Sequence, residues 1–94
     1  MNLLEACINN NLERISQLLE SGENINQRFE MGATALMIAT QEENKEIVLF
    51  LLKNGANPNL KAENGVSPLM ISAKKGNTEI AKILVDHGAE TAYK

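Results

Sequence analysis

Residues Thr34 to Ala56 read TALMIATQEENKEIVLFLLKNGA, and this stretch decides the fold. It holds two short helical patterns. Thr34 precedes the run Ala35-Leu36-Met37-Ile38-Ala39, and its hydroxyl suits a helix N-cap worth about 1 kcal/mol. Asn44 caps a second pattern, in which Ile47, Val48, Leu51 and Leu52 recur on one helical face. Gly55 follows, where a left-handed residue ends a helix. The design returns 33 residues later as Ser67 to Ala89, SPLMISAKKGNTEIAKILVDHGA. There Ser67 and Asn77 take the capping positions, Pro68 the first helical position, and Gly88 the closing one.

Working outward, the same period reaches the beginning of the chain. Leu3, Leu36 and Leu69 align, as do Asn11, Asn44 and Asn77, then Glu13, Glu46 and Glu79. Leu18, Leu51 and Leu84 follow, then Gly22, Gly55 and Gly88. Between the units lie Asn24 to Gly32 and Asn57 to Gly65, which read as extended hairpin loops, with Asn64-Gly65 a good turn pair. Helices of about ten residues are marginal alone in water. Each unit must therefore bury its apolar face on its neighbour, so the units fold as one stack.

Composition agrees. A 94-residue chain is one domain with a thin core, burying about 60% of its unfolded surface. Aromatics are limited to Phe29, Phe50 and Tyr93, so Leu, Ile, Val, Ala and Met must fill the interior. The net charge is −3, unevenly spread: seven acids against two bases up to Glu43, then seven bases against five acids. With no basic tract and no aromatic platform, nucleic acid is not the expected partner. No apolar run approaches the roughly 18 residues of a membrane span, so no membrane role is expected. Cys7 stands alone, which excludes an intrachain disulfide. A soluble protein of the cytoplasm is the expectation.

These residues resemble the ankyrin repeat, whose period is 33 and whose first helix opens on T-P-L-H-x-A. Thr34 to Ala39 reads T-A-L-M-I-A, and Ser67 to Ser72 reads S-P-L-M-I-S. The later family pattern stands as Asn44-Lys45-Glu46-Ile47-Val48 with Leu51-Leu52-Lys53-Asn54-Gly55-Ala56. It recurs as Asn77-Thr78-Glu79-Ile80 with Leu84-Val85-Asp86-His87-Gly88-Ala89. The resemblance implies an all-α solenoid in three units, residues 1–28, 29–61 and 62–94, the first without its leading hairpin. Met37 and Met70 replace the family's His, which bonds backbone between hairpins. Weaker hairpin tethering is expected, offset by apolar packing. Phe29 and Ala62 stand where the family has Asp.

The end units differ from the middle one. Arg14, Ser16 and Gln17 occupy the places of Ile47, Leu49 and Phe50, as a polar N-terminal cap requires. Ala81 and Lys82 occupy the places of Val48 and Leu49, which fits either a C-terminal cap or an internal unit of a longer array.

No catalytic or metal constellation emerges, and no cofactor is expected. His87, the one histidine, reads as a surface residue at a helix end. Cys7 shares a register with Thr40 and Ala73 and reads as a small buried hydrophobe. No Cys/His cluster has zinc spacing and no Gly-rich phosphate loop is present.

The resemblance instead implies another protein as partner, held by hairpin tips and the exposed face of the first helices. Carried over residue by residue, that surface is Arg28, Phe29, Glu30, Met31 and Ala33 on the first hairpin. Lys61, Glu63, Asn64 and Val66 fall on the second, and Gln41, Glu42, Lys74 and Lys75 on the first helices. Phe29 and Met31 are the candidate apolar anchors, although Phe29 has the alternative of folding back onto Leu60 or the neighbouring hairpin. The competing reading is a structural segment of a longer solenoid, or a stack associating weakly head to tail through unlike ends.

Overall fold

A computed structural model describes residues 2–91; Met1 and the final three residues of the third expected unit lie outside that range. Six α-helices occur among the described residues: α1 (Leu3–Ile8), α2 (Leu12–Glu20), α3 (Ala35–Gln41), α4 (Lys45–Lys53), α5 (Pro68–Lys75) and α6 (Thr78–Asp86). Each begins where its capping side chain predicts. Asn11, Asn44 and Asn77 accept amide bonds from Arg14, Ile47 and Ile80 at 3.0–3.1 Å. Thr34 and Ser67 accept from Met37 and Met70 at 3.4 and 3.3 Å. Asn2 and Glu5 form a reciprocal capping box, which fixes the first turn without a preceding hairpin.

The odd-numbered helices form an inner row and the even-numbered ones an outer row. α1 packs on α3 and α3 on α5, while α4 packs on α6. One continuous core runs through the stack, built on Leu3, Ile15, Leu36, Ile47, Val48, Leu51, Ile80 and Leu84. This is the all-helical repeat solenoid that the 33-residue period implies. The lengthwise extent is 38 Å, against 25 and 20 Å across.

The loops between units are less regular than extended hairpins. No β-ladder forms among the described residues. The first loop closes on bonds from the Phe29 amide to the Ala33 carbonyl and from the Gly32 amide back to Phe29, around a 3-10 turn at Glu30–Gly32. The second closes through Ala62 to Val66 and Gly65 to Ala62, at 2.9 Å each. The turn predicted at Asn64-Gly65 forms there, with Asn64 Oδ1 also accepting from the Val66 amide.

Side chains of the loops tie neighbouring units together. Asn26 accepts from the Asn57 amide at 2.8 Å, and Asn59 does the same for Glu90 one unit on. Their Nδ2 groups donate to the Gly55 and Gly88 carbonyls. Across the tips, the Glu63 amide donates to the Met31 carbonyl at 3.0 Å. A Cβ on Gly32 would lie 3.1 Å from that same amide, so only glycine lets the hairpins close up so tightly.

The two end faces are unlike. At the N-terminal end, Ala35, Ile47 and Phe50 of the middle unit have polar register mates in Asn2, Arg14 and Gln17, with Arg14 donating to Gln17 Oε1. At the C-terminal end, the buried Thr40, Val48 and Leu52 become Ala73, Ala81 and Val85, which are small or apolar; Ala73 and Val85 are exposed and Ala81 is half-buried. Leu52 is 8% exposed and Val85 is 41% exposed. Leu69 is likewise only half-buried, whereas Leu3 and Leu36 are fully enclosed.

Candidate binding groove

Stacking by 33 residues sets the two hairpins side by side and lines them up with α3 and α5. Side chains three and four apart share a helical face. Met37, Ile38 and Gln41 therefore project alongside Met70, Ile71 and Lys74. Between this face and the hairpins lies an open groove of about 560 Å³. Its floor and walls are Ala33, Met37, Ile38, Ala62, Val66, Met70 and Ile71; Gln41, Asn64, Lys74 and Lys75 supply its polar edge.

Six of the residues named from the sequence meet here: Ala33, Gln41, Asn64, Val66, Lys74 and Lys75. The other seven do not line the groove. Glu30, Lys61 and Glu63 are exposed on the hairpins, and Glu42 sits exposed at the end of α3. Met31 stands out at the first tip, 65% exposed, with its backbone in the left-handed region at φ 64°.

Two of the residues named from the sequence engage the stack itself. Arg28 is exposed on the first hairpin, and its guanidinium donates to the Gly32 carbonyl at 2.9 Å and to the Lys61 carbonyl of the next hairpin. It staples neighbouring units, because its long stem lets one planar group reach two carbonyls at once. For Phe29 the sequence leaves two readings open, an apolar anchor or a ring folded back onto Leu60 or the neighbouring hairpin. The ring is half-buried and packs against the core, because burying an aromatic ring beneath a thin stack removes much apolar surface from water. Met31 is left as the apolar residue displayed at that tip.

Five lining residues were missed: Met37, Ile38, Ala62, Met70 and Ile71. A signal for four of them was present. The identical pairs Met37/Met70 and Ile38/Ile71 recur at the repeat spacing on the inner helices. An apolar residue on such a helix reads as core until the neighbouring row is known to leave that face open.

The polar groups elsewhere have local roles. His87 is exposed and its Nδ1 donates to the Ile83 carbonyl at 2.9 Å, at the end of α6. Cys7 is fully buried between helices, and loss of solvation pushes its thiol up to about 11. A buried neutral thiol of that kind packs rather than reacts. A second groove, about 450 Å³, lies on the outer row between α2 and α4; Glu20, Glu23 and Asn54 give it a more polar lining. No helix among the described residues is long and apolar enough to cross a membrane.

Comparison with known proteins bears on the whole stack. A family model described as ankyrin repeats, three copies, matches residues 3–94. The same comparison with curated proteins finds no match.

Proposed function

Since the chain belongs to the ankyrin-repeat family, whose members are generally protein–protein interaction modules and typically not enzymes, we propose that it is a binding module for another protein. It acts as an adaptor, inhibitor or effector scaffold, and it takes its partner on the hairpin tips and the concave inner-helix face. One observation carries the reading: the inner face holds an apolar groove open to solvent, although the thin core has every other use for such side chains. Apolar surface gathered in one place and rimmed by polar groups marks an interaction surface. In this reading the module works in the cytoplasm, where Cys7 stays reduced.

The test is capture from lysate of the source by the immobilised chain, beside an Ile71→Glu, Met31→Ser variant whose thermal unfolding matches the parent. Proteins held by the parent and lost by the variant support the reading. Equal retention by both, or retention of nothing, contradicts it.

A second reading has its own observation, the small or apolar Ala73, Ala81 and Val85 on the C-terminal face, Ala73 and Val85 exposed. There the chain is a structural segment whose end face meets a further unit or another copy head to tail. Sedimentation at rising concentration separates the two: growth in mass that Val85→Lys abolishes favours stacking, and a constant monomer mass opposes it.

A further inference from the structure

The groove has a chemistry that selects among protein partners, and this step rests on the reading of the groove as a partner site. Of its eleven lining residues seven are apolar, two are neutral and polar, and two are charged. Both charges are positive, Lys74 and Lys75, in a chain whose net charge is −3. They are exposed, in the last turn of α5. An ion pair joins Lys45 to Glu79 on the outer helices, and no carboxylate among the described residues pairs with Lys74 or Lys75. Glu42 and Glu63 stand nearby but outside the lining. At physiological salt a charge is screened over about 8 Å, so a ligand in the groove responds to these two lysines more than to distant acids.

The floor adds a second preference. Methionine is unbranched and polarisable, and it adapts to apolar groups of differing shape. Met37 and Met70 lie in adjacent rows with Ile38 and Ile71 beside them. A histidine at the methionine positions would present a polar ring there; the thioethers make the floor soft and apolar instead.

We infer that the groove takes an acidic segment of a partner protein, with apolar side chains seated on Met37, Ile38, Met70 and Ile71 and carboxylates meeting Lys74 and Lys75. The lysines set the direction in which the segment lies, since they stand at the α5 end of the groove alone; the register mates at the α3 end are Gln41 and Glu42. The acidic end of the segment therefore lies toward the third unit. Rim charges of this kind act mainly on association rate and salt dependence, while the buried apolar contacts hold the complex.

The experiment selects short random peptides from a display library on the folded chain and reads fluorescence anisotropy for the winners. The expected winners carry net negative charge with spaced Leu, Met or Phe. They lose roughly tenfold in affinity on the paired variant Lys74→Glu, Lys75→Glu, and less on Lys74→Gln, Lys75→Gln. They keep their affinity on Lys53→Glu, Lys82→Glu, which changes net charge equally on the outer helices. Winners that are basic or uncharged, or that bind the paired Lys74 and Lys75 variants unchanged, overturn the inference and leave the binding module standing. A library that yields no binder overturns both. Binding to phosphatidylserine vesicles that the Lys74→Glu, Lys75→Glu variant abolishes overturns it in favour of a lipid surface. A dimer in light scattering that Ile71→Glu returns to monomer overturns it in favour of a second copy.

Discussion

The first and third units are built on one template yet present unlike outer faces. In the first, the residues that a preceding neighbour would cover are Asn2, Arg14 and Gln17, which water and each other can satisfy. In the third, those that a following neighbour would cover are Leu69, Ala73, Ala81 and Val85, thinned in size but not made polar. The aligned leucines report the same contrast from inside. Leu3 is sealed and Leu18 half-open at one end, whereas Leu69 is half-open and Leu84 sealed at the other. A repeat therefore has two separable faces, and polarity has been placed on one of the two outer faces only. Nearest-neighbour stacking supplies most of each unit's stability, so the unlike faces predict unlike sensitivities along the chain.

The largest effect tests that prediction directly. Leu3→Ala and Leu36→Ala each remove a fully buried side chain and are expected to destabilise by about 3 kcal/mol, while Leu69→Ala destabilises by about half as much. Urea unfolding of the three variants gives the order. Equal losses at all three positions would break the comparison, because they would require a covered C-terminal face.

Cys7 sharpens the account of the first unit. Its thiol is held up to about 11 in the folded chain, against an ordinary 9.0. The folded state thus keeps a proton that the unfolded state has already released. Stability linked to this group is complete below pH 9 and falls as pH rises through about 11, by on the order of 3 kcal/mol. Comparing the pH dependence of unfolding in the parent and in Cys7→Ala isolates the effect. Thiol labelling at neutral pH is expected only as fast as the chain opens.

A smaller effect concerns the turn between inner and outer helices. Asn10, Glu43 and Gly76 occupy one register there, all with φ between 55° and 69°. A non-glycine residue in this region costs about 1 kcal/mol. Glu43→Gly is expected to stabilise by about 0.5 kcal/mol after losing the long Asn77 contact, raising Tm by a few degrees. Gly76→Ala should destabilise by about 1 kcal/mol, with no neighbouring atom to blame, since a Cβ there meets open space. Thermal melts of both variants check the opposite signs.

The smallest change is at the open face. Val85→Lys is expected within about 0.5 kcal/mol of the parent, because Val85 is 41% exposed. The same substitution at Leu52 places a charge in the interface with α6 and should destabilise by several times as much. Val85→Lys as damaging as Leu52→Lys would mean that the end face is covered.

The register of the stack was legible because helix caps and leucines are local features repeated at one spacing. Thr34, Asn44, Ser67 and Asn77 cap through neighbours three residues away, and such bonds need no tertiary information. About half of the groove was reached through the family resemblance, which carried the partner surface onto Gln41, Lys74 and Lys75 of the first helices. The packing of the hairpin tips was not legible. Whether Arg28 reaches out or across depends on where Lys61 falls, 33 residues away. Whether Phe29 turns inward depends on the space that neighbouring helices leave beneath it. Met37 and Met70 were read against the family's histidine, as losses to the tether, and so their gain to the groove floor went unseen.

The most direct test of the account maps a bound peptide partner by amide chemical shifts on the folded chain. The concave-face reading predicts shifts concentrated on Ala33, Ile38, Gln41, Val66 and Met70 through Lys75, with α2 and α4 quiet. Shifts concentrated instead on Leu19, Glu23, Ile25 and Phe50, around the outer groove, would contradict it.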